Sequence, residues 1–181
     1  SYSVTGVQTC ALPISNGISV NGGGFINTPK ATLTTGAPRL DASGGLLGLD
    51  VRRGDVLIEG LGVNAGNLDA FEIVSRTAKI NAEIHARKLS VTAGQDAVIH
   101  GSTVQAGGDA SLSAGRNLSI TSATDTYEFS RHLQSKSGGL FGGKSSESAS
   151  GSGSANVASQ VTSGGSLNAQ AGTAGGGDLV V

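Results

Sequence analysis

The chain has 181 residues and a formal net charge of −1, and although 30 residues are glycine, aromatic residues make up 3% and methionine and tryptophan are absent. This composition excludes a rounded core of large side chains, each of which contributes about 1.5–3 kcal/mol when buried, and favours thin stacked layers. The balanced charge, with no basic stripe, excludes an electrostatic nucleic-acid interface, and no apolar run approaches the roughly 18 residues that span a bilayer.

The first fifteen residues do not share the pattern of the rest. Val4–Ile14 reads VTGVQTCALPI, which resembles the translation of a common sequencing adapter over its whole length. We therefore interpret residues 1–15 as a non-native segment and assign no role to Cys10, the single cysteine. Foreign segments are excluded from fold predictions. A native but irregular N-terminal strand is the alternative.

Short strands are predicted along the remaining chain, where apolar and polar residues alternate between glycine-rich segments. The predicted strands are Ile18–Asn21, Ala31–Thr34, Val56–Glu59 and Leu118–Thr121. The turns between them are predicted at Asn21–Gly24, Ser43–Gly45 and Arg53–Asp55, because glycine and asparagine tolerate the positive φ of tight corners.

The segment that precedes Gly94 tests strand against helix, since residues 67–93 contain neither glycine nor proline. From Ala78 to Arg87, apolar and polar residues alternate strictly. A period of two places every apolar side chain on one face of a strand, whereas a helix would spread them around its axis. The phase shifts after Lys88, which predicts a corner there.

An internal repeat follows. Ala93–Ile99 (AGQDAVI) aligns with Ala114–Ile120 (AGRNLSI) at an offset of 21 residues, and Ala106–Leu112 is a related unit between them. Looser copies begin at Gly164 and Gly176. A period near 20 residues, with one short strand after each glycine turn, is typical of a β-solenoid, in which about three or more coils must stack to bury their apolar faces. The predicted fold class is therefore all-β.

Ser130–Ser163 interrupts this pattern, because serine and glycine dominate it and few apolar residues could anchor it. We interpret it as an irregular, flexible segment, in which the apolar pair Leu140 and Phe141 docks locally or onto a partner.

Candidate catalytic and metal-binding residues are few. Paired carboxylates can hydrolyse glycosides, and Asp50, Asp55 and Glu59 form an acidic group, although alternating charges around a glycine turn are more typical of a solvated corner. The three histidines, His85, His100 and His132, lack metal-site spacing. Asn21–Gly24 could form an anion-binding nest, but it lacks the phosphate-loop pattern, and we interpret it as a solenoid turn.

Two stretches resemble the exoproteins of two-partner secretion, the family of filamentous haemagglutinins and contact-dependent growth-inhibition proteins. The distal part of that family's secretion domain resembles Asn16–Ile18 (NGI), Asn21–Asp41 (NGGGFINTPKATLTTGAPRLD) and Gly48–Gly54 (GLDVRRG). The family's haemagglutinin repeats resemble Gly94–Ile120 and Ser137–Gly143 (SGGLFGG).

The resemblance implies a right-handed parallel β-helix and export through an outer-membrane β-barrel transporter that recognises the secretion domain. It implies a secreted, cell-surface protein with no cofactor, no metal and no catalysis in this region. The residues carried over as the secretion-domain motif are Asn16, Gly17, Ile18, Asn21, Gly22, Gly23, Gly24, Phe25, Ile26, Asn27 and Thr28.

These observations divide the chain into a secretion-domain-like β-helix (16–94), haemagglutinin-repeat coils (95–129), the glycine- and serine-rich segment (130–163) and the start of a further repeat (164–181). The leading hypothesis is the adhesive shaft of a large exoprotein with a receptor on a host or neighbouring cell. The shaft of a growth-inhibition toxin is one alternative, and a carbohydrate-cleaving β-helix enzyme is another.

Overall fold

The computed structural model describes residues 9–13, 16–136 and 144–181, and the regular elements in these ranges are all strands. The strands are β1 (Thr9–Pro13), β2 (Ile18–Gly24), β3 (Lys30–Thr34), β4 (Ala37–Leu40), β5 (Leu46–Asp50), β6 (Asp55–Ala65), β7 (Ala70–Ser75), β8 (Thr77–Ile80), β9 (Ile84–Ala86), β10 (Leu89–Ala93), β11 (Ala97–His100), β12 (Thr103–Ala106), β13 (Ala110–Ala114), β14 (Leu118–Thr121), β15 (Ala123–Lys136), β16 (Lys144–Val157), β17 (Gln160–Ser163), β18 (Leu167–Gln170) and β19 (Leu179–Val180).

Most of these strands stack in parallel on three faces of a β-helix. The first face runs β1-β3-β7-β10-β13-β18. The second runs from β2 through the first half of β6 to β8, β11, β14 and β19, and the third runs from the second half of β6 to β9, β12 and β17. One coil, such as β10-β11-β12, therefore contributes one strand to each face, which confirms the solenoid expected from the sequence.

The core consists of ladders of aliphatic side chains, one rung from each coil. On the second face Ile58, Ile80 and Ile99 stack in register, and each is at most 1% exposed. Equivalent ladders on the other two faces are Leu33-Ile73-Val91-Leu112 and Val63-Ile84-Val104. Each rung packs against the coils before and after it, so small aliphatic residues suffice to fill the narrow interior.

The alternation from Ala78 onward is confirmed as a burial pattern, with every apolar residue through Ala86 buried. It is divided, however, between β8 and β9, because the chain turns a corner at Asn81, whose N–H donates to the Ile58 carbonyl at 2.8 Å. The predicted phase shift is also confirmed, since Arg87 and Lys88 are exposed at the next corner and Leu89 is buried.

The 21-residue repeat corresponds to one coil, since Ala93 pairs with Ala114 and Ile99 pairs with Ile120. The intermediate unit lies at a different corner, where the Gly107 N–H donates to the Ala86 carbonyl at 2.9 Å. Glycine turns therefore occur twice in a coil of three strands, which corrects the expectation of one strand for each glycine turn.

Two antiparallel hairpins interrupt the coils. Hairpin β4–β5 leaves between the first and second faces, and hairpin β15–β16 leaves between the second and third. After β16 the coil resumes in register, with Val104 paired with Val161 and the Ser159 hydroxyl donating to the Thr121 carbonyl at 2.6 Å. The solenoid therefore continues across the insertion.

The segment 130–163 differs from the irregular one that its composition predicts. Its described residues up to Lys136, and from Lys144 to Val157, form most of the hairpin β15–β16. Serine and glycine are ordered here because each strand satisfies the other's backbone groups. Ser137–Gly143, including Leu140 and Phe141, lies outside the described residues.

Several sequence-based interpretations stay predictions. These are the four domain boundaries, the right-handed sense of the helix and the non-native origin of residues 1–15. Within residues 1–15, β1 pairs in parallel with β3, as an extended segment of either origin can do on an open sheet edge. None of the described residues forms a helix long and apolar enough to cross a membrane.

Candidate functional site

The motif residues 16–28 lie along β2 and in the turn that leads into β3. Ile18 is buried and pairs with Val56 in the second-face ladder, whereas most of the motif is exposed. Gly17 has a φ of 124°, and a Cβ there would lie 3.2 Å from the Asp55 carbonyl oxygen. The first motif residues therefore attach β2 closely to the next coil.

The glycine run Asn21–Gly24 forms a bend inside β2. The register with β6 shifts between Asn21 and Gly23, and Gly22 has a φ of 82°. The Leu61 N–H donates to Asn21 Oδ1 at 3.4 Å, and a Cβ on Gly60 would overlap the Asn21 side chain. The predicted turn is therefore present as a β-bulge at the corner between the second and third faces.

The second half of the motif turns the chain into β3. The Phe25 ring packs at a tilt of 48° against Phe71 with 5.6 Å between ring centroids. The Asn67 side-chain amide donates to the Phe25 carbonyl, and the Thr28 hydroxyl donates to the Lys30 carbonyl at 2.9 Å. These contacts fix the turn, in which Asn27 has a left-handed φ of 54°.

The fixed turns leave two aliphatic side chains in solvent. Ile26 is 86% exposed and Leu61, which faces Gly22, is 88% exposed. The motif contains no ionisable side chain, so it cannot transfer protons. It presents backbone groups, amides and isolated aliphatic groups, which are suited to recognition by another protein.

The acidic candidates do not form a catalytic pair in the structure. Asp50 pairs with Arg52 at 2.7 Å, Asp55 pairs with Arg76 at 2.7 Å, and Glu59 accepts from a serine hydroxyl. The hydrogen bond from Arg52 holds the pKa of Asp50 below its ordinary value. A general acid in glycoside hydrolysis needs the opposite shift, so Asp50 is not suited to that role.

The histidines are dispersed. His85 contacts Glu83 and Gln105 at 3.2 Å on the outer surface of the third face. His100 contacts Thr121 at 3.1 Å, and His132 lies on hairpin β15–β16. Within the described ranges, no cluster of three histidine, cysteine or acidic residues could hold a metal ion. The expectation that no metal or cofactor belongs to this region stays a prediction.

Ion pairs between coils are the feature that the sequence analysis missed. At one corner Arg76 joins Asp55 to Gln95, and one coil further on Arg116 pairs with Asp96 at 2.6 Å. Burial raises the pKa of Asp96, but hydrogen bonds from Arg116 and Asn117 outweigh it and lower the pKa overall. Opposite charges 20 or 21 residues apart, close to one coil period, were the available signal.

Comparisons with known proteins agree with this architecture. The family model of the TPS secretion domain matches residues 14–169. The 16S rRNA endonuclease CdiA of Enterobacter cloacae is 53% identical over 90 residues, which cover 50% of this chain and 3% of that protein. The tRNA nuclease CdiA of Yersinia mollaretii is 44% identical over 99 residues, which cover 54% of this chain and 3% of that protein.

A more distant relative, the tRNA nuclease CdiA-2 of Burkholderia pseudomallei, is 40% identical over 95 residues, or 51% of this chain and 3% of that protein. The chain thus spans only a small part of these relatives, and no solved structure matches it significantly. Because the family model covers most of the chain, the chain belongs to the TPS secretion domain family, the cell-surface exoproteins of two-partner secretion.

Proposed function

We propose that this chain is a stem segment of a contact-dependent growth-inhibition exoprotein, and that its first coils are engaged by an outer-membrane transporter during export. The matches to CdiA proteins of three genera support the growth-inhibition type. The observation that carries the proposal is the continuous stack of coils beneath an exposed, uncharged motif at residues 16–28. The nuclease activities named for the relatives belong to those whole proteins.

The stem role follows from the way the coils are joined. Adjacent coils share backbone hydrogen bonds on three faces and a continuous aliphatic core. Each coil of about 20 residues lengthens such a stack by about 4.8 Å, the spacing between paired strands. Because each added coil repeats the same contacts, the stack grows linearly and acts as a stiff spacer.

The transporter-binding role is assigned to the corner that carries Ile26 and Leu61. Both side chains are almost fully exposed, while Asn21, Phe25 and Asn67 hold the backbone beneath them. Isolated aliphatic groups on a fixed corner lose little conformational entropy on binding. This supports a partner that recognises shape and backbone rather than charge.

An adhesive role, with a receptor on a host or neighbouring cell, is a second candidate. The three long outer faces and the projecting hairpin β15–β16 favour it, because repeated faces offer many equivalent contacts. Carbohydrate cleavage is not favoured, since Asp50, Asp55 and Glu59 are each engaged by a different side chain.

Export can be tested with the 181-residue chain carrying a signal peptide, expressed in Escherichia coli with and without the transporter partner of the Enterobacter cloacae relative. We expect the chain in the medium only when the transporter is present. Ile26→Asp should reduce release severalfold, whereas Leu133→Asp, at an exposed position of the hairpin, should not. Equal release without the transporter, or equal effects of the two substitutions, would contradict the proposal.

A further inference from the structure

Hairpin β15–β16 is a two-sided ribbon whose sides differ in chemistry. Its strands pair without a bulge from Ala123↔Val157 to Lys136↔Lys144. Side chains alternate between the two sides of a strand, so one side carries Tyr127, Phe129 and Leu133. The other side carries threonine, serine, glutamate, histidine and glutamine along β15, and mainly serine along β16.

The aromatic rings lie flat across the ribbon over glycine. Phe129 is paired with Gly151 and Tyr127 with Gly153. A Cβ on Gly151 would lie 2.7 Å from the Phe129 ring, and one on Gly153 would overlap the Tyr127 ring. One face of each ring therefore covers backbone while the other faces solvent, and both residues remain 56% exposed.

Two opposite charges flank this aromatic pair on the same side. Asp125 lies two residues before Tyr127, and Arg131 lies two residues after Phe129. Within the ranges that the structure describes, neither charge has an ion-pair partner. An apolar strip with an unpaired charge at each end matches a partner that presents the same strip in reverse.

We propose that this aromatic side is a docking surface for the same side of a second copy of the chain. A twofold axis that passes between Tyr127 and Phe129 places each Tyr127 over the partner's Phe129. It also places Asp125 against the partner's Arg131, and does so twice because the contact is isologous. The four small residues on β16 that face these positions, Ala149, Gly151, Gly153 and Ala155, allow close approach of the two ribbons.

The size of the surface indicates a weak contact for one pair. Two strands of 14 residues form a ribbon about 45 Å long and about 10 Å wide, so one side offers on the order of 450 Å². Standard stable interfaces bury roughly 800 Å² from each partner. The docking is therefore reversible for isolated chains and becomes strong where many copies are displayed side by side, through effective concentration. This self-association goes beyond the proposed stem and export roles.

Charge reversal on the 181-residue chain tests the pairing, with self-association measured by sedimentation equilibrium over a range of concentrations. We expect a reversible dimer for the unmodified chain. Asp125→Arg alone and Arg131→Asp alone each place like charges in contact twice, so each should weaken the dimer by about tenfold or more. A mixture of the two variants should restore association, because only the mixed pair regains both attractive contacts. Carrying both substitutions in one chain should restore its self-association.

Glu128→Arg, on the opposite polar side, is the matched control and should leave the association unchanged. A monomeric unmodified chain, or single variants that do not complement each other when mixed, would overturn the proposal. So would a stripe whose loss in Phe129→Ser abolishes binding to soluble oligosaccharides while charge reversal changes nothing, because the surface would then bind glycans. Circular dichroism of every variant checks that the solenoid is folded.

Discussion

The solenoid wall and hairpin β15–β16 use the same alternation of side chains with opposite results. In the wall, apolar residues such as Ile80 and Val104 are at most 1% exposed, because another coil lies on either side. In the hairpin, Tyr127 and Phe129 alternate with polar residues in the same way but remain half exposed. Alternation therefore sets which side a residue faces, and stacking decides whether that side is buried.

The largest difference between the two regions is expected in side-chain truncation. Ile80→Ala leaves a cavity between Ile58 and Ile99 and should lower the free energy of unfolding by about 2–5 kcal/mol. Phe129→Ala removes a half-exposed ring and should cost about 1 kcal/mol or less. Urea denaturation followed by circular dichroism measures both, and equal losses would contradict the distinction between buried wall and open ribbon.

Glycine positions extend the comparison to the corners. Gly62 has a φ of 69°, and a Cβ there would overlap the Glu83 carbonyl oxygen, whereas Gly44, in the turn of hairpin β4–β5, has a φ of 83° and open space. Gly44→Ala should cost roughly 1–2 kcal/mol for the left-handed backbone. Gly62→Ala adds displacement of the next coil and should cost about 3 kcal/mol. Thermal unfolding compares the two, and a smaller loss at Gly62 would contradict the tight corner.

A smaller effect is expected from the ion pair between coils at Asp96. Its pKa is lower folded than unfolded, so its stabilisation is fully present above the unfolded value of about 3.9 and is lost as pH falls toward the folded value. Asp96→Asn should lower stability at neutral pH by about 1 kcal/mol or less, since the pair is partly exposed, and flatten its dependence on pH in acid.

Arg116→Gln removes the partner of the same pair and serves as the second arm of a double-mutant cycle. We expect the two substitutions together to cost little more than either alone. Stability measured by urea denaturation between pH 3 and 7 decides this, the range being set by the carboxylate pKa of about 3.9. Fully additive losses would show that Asp96 and Arg116 act independently.

The smallest effect is expected from removing the hairpin. Thr121 and Ser159 are already in contact at 2.6 Å, so a short glycine-serine turn can replace residues 123–157. The remaining coils should keep their free energy of unfolding within about 1 kcal/mol, because a two-stranded ribbon adds little independent stability. Loss of amide protection in β10–β14 by hydrogen exchange would instead show that the hairpin supports the coils.

Much of the wall could be predicted from the sequence, for local reasons. The strand β14 was predicted with its observed bounds, and β3 within one residue. The phase shift at Arg87 and Lys88 located a corner because alternation reports the inward face directly. The motif at residues 16–28 was located by resemblance, but the contacts of Asn21 with Leu61 and of Phe25 with Asn67 were not predicted, since they join residues about 40 apart.

By itself, the sequence determined an all-β solenoid with a coil of about 20 residues, because periodicity of two within strands and of 21 between coils is written in local order. The tertiary structure alone decided that glycine turns occupy two different corners of each coil. It also decided that the serine-rich segment pairs into a hairpin and that Asp96 meets Arg116. These outcomes depend on backbone pairing and charge contacts between segments distant in the chain, which local composition does not encode.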